Sequence, residues 1–201
     1  MYKKPQKHHY ETSRQAGIVS ALVAAIAFFV IMSYYVFNGR PVNLAFTNRA
    51  LAIGSVFLIG ASYILGPLSR LAPKIIIPKL QYRKPLGLYG YLFAVSHILL
   101  SLVISGEELA SNGLSIFFGM IAIIIFTMVA STSMVKSISA FGFNRWQKIQ
   151  RTGYVAFLLV IVHFTVLESG QFIARQLGQI TLIFALFVVL ARLAVFVVWK
   201  K

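Results

Sequence analysis

Six long stretches without a charged side chain dominate this sequence and restrict its fold more tightly than any other feature. They run from Ile18 to Phe37, Ala50 to Leu68, Leu86 to Ser105, Leu114 to Val135, Thr152 to Leu167, and Gln179 to Trp199, the last interrupted by Arg192. About 20 apolar residues at a rise of about 1.5 Å cross a hydrocarbon core of roughly 30 Å, so each stretch is a transmembrane helix candidate. The expected fold is therefore an all-α integral membrane protein, a bundle of six transmembrane helices. Composition excludes the main competitor: of 201 residues, 59% are hydrophobic and only 11% charged, whereas a soluble domain carries about a quarter charged residues.

The net charge of +15 would suggest nucleic acid in a soluble chain. Here the basic residues sit in clusters between the apolar runs, so no nucleic-acid partner is expected, and lipid takes that place. Lys3, Lys4, Lys7 and Arg14 precede the first run. Arg70, Lys74, Lys79, Arg83 and Lys84 follow the second, Lys136, Arg145, Lys148 and Arg151 follow the fourth, and Lys200 and Lys201 end the chain. The alternate side carries only Arg40, Arg49 and Arg175, with Glu107, Glu108 and Glu168. The positive-inside rule then puts both termini in the cytoplasm. The first run is too long for the apolar region of a signal peptide and reads as a retained anchor. The expected organisation is a basic cytoplasmic segment over 1–16, one membrane domain over 17–199 and a cytoplasmic end at 200–201. Trp146, Trp199, Tyr34 and Tyr35 fall where an aromatic belt would put them.

Prolines agree with this division: Pro5, Pro41, Pro73, Pro78 and Pro85 lie outside the runs and Pro67 at the end of the second, so no internal kink is expected. Cysteine is absent, which removes thiolate catalysis, iron–sulfur clusters and disulfides. No G-x-G-x-x-G follows a strand-like stretch, so no dinucleotide site is expected.

Of four histidines, only His97 and His163 lie within predicted spans, and an ionisable group inside a membrane is a functional candidate. Stepping by three and four residues, one face of the third span reads Gly87, Gly90, Ala94, His97, and one face of the fifth reads Gly153, Ala156, Val160, His163. Such stripes admit a flat ligand or a neighbouring backbone. Both spans run in the same direction, so the two imidazoles can meet at one depth. A zinc site needs three or four protein ligands, whereas a porphyrin supplies four of its own and needs at most two. The pair therefore suits haem better than a bare metal ion. The other reading is two interhelical hydrogen bonds in a non-redox membrane protein, such as a transporter subunit or an assembly factor.

Several motifs together resemble the ferric-reductase-like transmembrane family, and within it the haem-binding membrane subunits of bacterial protein-methionine-sulfoxide reductases. They are Leu65-Gly-Pro-Leu-Ser-Arg-Leu71, Arg83-Lys-Pro-Leu-Gly-Leu88 leading to His97, Ser131-Thr-Ser133, and Trp146-Gln-Lys-Ile-Gln-Arg151 leading to His163. The resemblance implies a haem b in the outer half of a bacterial cytoplasmic membrane, with His97 and His163 as axial iron ligands. It also implies electron transfer from a quinol or a flavin, FMN, towards an extracytoplasmic reductase subunit or a ferric substrate. Many members carry an inner histidine where this chain has Gln150, and Arg83 and Lys84 stand at the comparable place before His97. One haem is therefore expected. Arg145, Lys148 and Arg151 are candidates for a flavin phosphate, since guanidinium suits phosphate geometry; the plainer account is the positive-inside signal.

Other residues carry weaker expectations. Arg192 is expected to snorkel towards the inner interface, and Arg49 and Arg175 to stand where haem propionates would lie. His8 and His9 read as a solvated tail, Tyr89, Tyr91 and Phe93 as core or cofactor neighbours, and the three glutamates as an acidic outer surface.

Overall fold

The computed structural model describes residues 7–104, 112–133, 135–167 and 171–198. In chain order it contains α1 (Lys7–Phe37), α2 (Leu44–Leu71), the short α3 (Pro73–Ile76), a 3-10 segment (Ile77–Tyr82), α4 (Arg83–Ile104), α5 (Gly113–Ser131), α6 (Val135–Phe141), α7 (Phe143–Val166), the short α8 (Gln171–Ala174) and α9 (Gln176–Val198). The helices α1, α2, α4, α5, α7 and α9 each hold a segment long and apolar enough to cross a membrane. The chain is an all-α, multi-pass membrane protein, as its apolar runs require. Lys3, Lys4, Glu107, Glu108, Glu168, Trp199, Lys200 and Lys201 lie outside the described residues.

Helices extend beyond the apolar runs because polar residues at a helix end remain helical once they are capped. The second helix begins at Leu44 rather than Ala50, where the Asn43 side-chain oxygen accepts from the Phe46 N–H at 3.0 Å and satisfies one of the free amides of the first turn. That extension places Asn48 and Arg49 on α2. Likewise α1 reaches back through His8 and His9 to Lys7, and α7 starts at Phe143 rather than Thr152. The fourth run is divided, with α5 stopping at Ser131 and Val135 opening α6.

The second helix also continues through Pro67. A proline inside a helix removes the hydrogen bond to the carbonyl four residues earlier, here Tyr63. The Tyr154 hydroxyl of α7 donates to that carbonyl at 3.0 Å. An interhelical bond thus replaces the lost backbone bond.

The centre of the bundle is α2, with 61% of its apolar window buried against at most 28% in the other spans. Its close neighbours are α4 and α9. A Cβ built on Gly90 would lie 2.9 Å from the Ile59 backbone nitrogen, so α4 seats on α2 because residue 90 has no side chain. Gly87 faces Ser62, and Gly153 of α7 faces the Tyr63 ring. Gly90 and Gly153 therefore serve helix packing, Gly87 also borders one cavity, and Ala94 and Val160 border another beside the histidines. Because α4 seats on α2 and α7 on α5, α4 and α7 do not pack closely on each other. Space remains between them.

Candidate functional site

Two cavities occupy that space. The first, of about 220 Å³, lies towards the N-terminal end of α2 and is lined by both His97 and His163. The second, of about 700 Å³, lies towards the end bearing the basic loops. Ile59 and Phe126 border both cavities and form the partition between them.

Each histidine is held by its Nδ1 atom. His97 Nδ1 lies 2.8 Å from the Asn48 side-chain oxygen. The Asn48 amide nitrogen donates to Ser101 Oγ at 2.9 Å, and the Ser101 hydroxyl donates to the His97 carbonyl at 2.9 Å. This chain fixes the tautomer: the serine proton is spent on a carbonyl, so Ser101 accepts from the amide. The Asn48 oxygen is left to accept, and His97 Nδ1 must carry the hydrogen. On the facing side, the Ser115 hydroxyl donates to the His163 carbonyl at 2.9 Å, and His163 Nδ1 donates to the Ser115 carbonyl at 2.8 Å. Both rings are therefore Nδ1–H tautomers whose Nε2 lone pair is free. A serine one turn from His97 and another on the neighbouring helix impose the same choice.

The cavity between the rings is mostly apolar, with Ala94, Val56, Val160, Phe157 and Ile123 on its wall. Under the second ring lies Gly119 of α5, where a Cβ would stand 3.0 Å from His163 Nδ1. Arg49 lies at the border of the cavity, with its guanidinium 5.6 Å from the Phe46 ring centre. Arg175, expected beside it, is exposed and not part of the wall. Leu102 and Met120, exposed by 63% and 48%, form the outward part of the wall. Met120, unbranched and adaptable, is the side chain best able to rearrange at this edge.

Arg70, Arg83, Lys84, Arg151 and Arg192 line the larger cavity, and no Asp or Glu is among its described lining residues. Arg192, half-buried, borders this cavity with its guanidinium 5.3 Å from the Tyr154 ring centre. There the aromatic face replaces part of its lost hydration. Gln150 and Arg151 border this cavity, while Arg145 and Lys148 are exposed outside it. The Gln150 amide donates to the Val129 carbonyl and to Thr132 Oγ1, each at 3.2 Å, and Trp146 Nε1 donates to the Thr132 carbonyl at 2.9 Å. The Ser131-Thr-Ser133 and Trp146-to-Arg151 motifs thus join the end of α5 to the start of α7. Trp146 is anchored there by its indole N–H.

Of the aromatics before His97, Tyr91 borders the larger cavity and lies 2.9 Å from Thr127 Oγ1. Tyr89 and Phe93 pack with Ala24, Leu58 and Leu86. Asn48, Ser101, Ser115 and Gly119 were not singled out by the sequence. Only the four-residue step from His97 to Ser101 was visible there.

Comparison with known proteins identifies the family of this bundle. Residues 51–161 match the model of the ferric reductase like transmembrane component. The chain is 26% identical over 187 residues to the protein-methionine-sulfoxide reductase heme-binding subunit MsrQ of Ralstonia nicotianae, covering 90% of this chain and 83% of that protein. Its counterpart from Polaromonas naphthalenivorans is 30% identical over 98 residues, 45% of each chain. The magnetosome protein MamZ of Magnetospirillum gryphiswaldense is 25% identical over 180 residues, 82% of this chain. This chain spans only 28% of the length of MamZ. With a family match across more than half of the sequence and a six-span bundle around paired histidines, the chain belongs to the ferric-reductase-like transmembrane family.

Proposed function

We propose that this protein is a membrane electron-transfer subunit that holds one haem b between His97 and His163 and passes electrons outward. The observation that carries the reading is that His97 and His163 line one mostly apolar cavity while the Nδ1 of each is taken by a hydrogen bond to an acceptor oxygen, which leaves both Nε2 lone pairs unspent. Two imidazoles without further ligands match the axial demand of a porphyrin. Among the described residues no three His, Cys, Asp or Glu side chains group as a bare-metal site. Arg49 stands where it can pair with a propionate. When bound, the haem supplies reversible one-electron chemistry. The protein orients the two rings, excludes water with the apolar wall and separates the site from the larger cavity by Ile59 and Phe126.

The basic side of the bundle faces the cytoplasm of a bacterium, and the histidine end faces outward. The larger cavity receives the donor. Five cations without a carboxylate favour a planar anionic molecule such as FMN, its phosphate held by Arg83 or Arg151; a quinol is the other donor class. Gln150 spends its amide on Val129 and Thr132, and a carboxamide is a poor iron ligand. The acceptor is an extracytoplasmic reductase partner or a ferric substrate, a role supported by the similarity to MsrQ.

The non-redox reading draws on the same hydrogen bonds, since His97 to Asn48 and His163 to Ser115 both join helices. It gives no use to the Nε2 atoms. Purified protein from haem-supplied cells should show b-type α and Soret bands on reduction with dithionite, with one haem per chain by pyridine haemochrome. A colourless preparation would overturn the haem reading, and a count of two would overturn the assignment of Gln150.

A further inference from the structure

We infer that Asn48 and Ser101 are positioning residues that set the donor strength of His97, and through it the reduction potential of the group the histidine pair holds. This assignment rests on the haem reading above. The two imidazoles are held differently. His163 donates to a main-chain carbonyl, that of Ser115, whose own hydroxyl lies 2.9 Å from the same nitrogen. His97 donates to a side-chain carboxamide on another helix, and that carboxamide is itself oriented by Ser101. The chain closes on itself, from the ring through Asn48 and Ser101 to the carbonyl of the same histidine.

Such a closed arrangement has two consequences. First, the Asn48 amide cannot rotate to present its nitrogen to the ring, because Ser101 has spent its only proton and can only accept. Second, an acceptor on Nδ1–H draws that proton away and makes Nε2 a stronger donor to a metal. A stronger axial donor stabilises ferric over ferrous iron and so lowers the potential. A main-chain carbonyl can be altered only by moving the helix, whereas residue 48 can be changed one atom at a time. It lies outside the uncharged run that defined the second span, so nothing in the apolar pattern marked it.

The experiment is a spectroelectrochemical titration of full-length protein in detergent, with low-temperature EPR of the oxidised form. Asn48→Leu removes the acceptor and should raise the midpoint potential. A tenfold change in the ferric-to-ferrous preference corresponds to about 59 mV for a one-electron couple. Asn48→Asp offers a stronger acceptor in the same shape and should move the potential the opposite way. Ser101→Ala frees the amide to rotate and should shift in the direction of Asn48→Leu by a smaller factor. Opposite signs for Leu and Asp support the assignment, because packing damage would move both alike. Shifts of the same sign, or an unchanged potential and EPR spectrum in variants that keep haem, overturn it. Should Asn48→Leu fail to fold, Ser101→Ala and Asn48→Asp decide the question by the same rule. A wild-type protein without low-spin haem overturns the haem reading itself, and this assignment with it.

Discussion

Gly119 offers the sharpest test of the histidine site, because its substitution acts on one ring and on little else. A Cβ at this position would lie 3.0 Å from His163 Nδ1, 3.2 Å from Cε1 and 3.5 Å from Cγ. Ordinary van der Waals contact begins near 3.4 Å, so Gly119→Ala must displace the imidazole by a few tenths of an ångström. The ring is tied to the Ser115 carbonyl at 2.8 Å, and the shift lengthens that bond. Leaving a buried donor poorly satisfied costs about 1–3 kcal/mol, and disturbing such an outer partner typically costs about 10- to 100-fold in metal affinity. Alanine is a better helix former than glycine, so α5 itself should not suffer. The expected result is about a tenfold weaker hold on haem for Gly119→Ala and loss of the low-spin spectrum for Gly119→Val. The assay is haem content and absorption after purification and haem competition, with thermal unfolding as the check on folding. Gly113→Ala is the control, since nothing lies within 4 Å of its Cβ position. A wild-type spectrum and haem content in Gly119→Val would refute the placement of His163.

His97→Ala and His163→Ala should each abolish the low-spin haem spectrum, while His8→Ala should leave it unchanged; absorption and EPR of the purified variants check this. Tyr154→Phe removes the hydroxyl that serves the carbonyl freed by Pro67. It should destabilise the bundle by about 1–3 kcal/mol, read as a lower unfolding midpoint in detergent with the haem spectrum retained. Arg83→Gln combined with Arg151→Gln should slow haem reduction by an added flavin donor at least severalfold, followed by stopped-flow absorption, with the dithionite-reduced spectrum unchanged. If quinol reduction slows and flavin reduction does not, the larger cavity takes the quinol instead.

The limits of the apolar pattern explain what the sequence left unread. Hydropathy locates the part of a helix inside hydrocarbon, because only there does a charge cost enough to be excluded. It is silent about helix ends, so Asn48 and Arg49 fell outside the second run, and only the cap at Asn43 places them on α2. It is equally silent about direction. The apolar pattern does not show that the Arg192 guanidinium stands over the Tyr154 ring. The glycine stripes below His97 and His163 could have faced a ligand or a helix, and the answer depends on which neighbour arrives. Gly90 meets the Ile59 backbone.

The sequence by itself determined the six spans, and it set the expectations that the basic clusters lie on the inner side and that His97 and His163 form the site. Each follows from the cost of putting charge into hydrocarbon, a property of single residues and their order. Only the tertiary structure decided that α4 and α7 seat on separate partners and leave a gap between them. It likewise decided that Asn48, Ser101, Ser115 and Gly119 surround the two rings, and that five cations border one cavity. Those outcomes depend on close approach between residues distant along the chain, where a missing Cβ or one shared proton selects the arrangement. A linear pattern records neither.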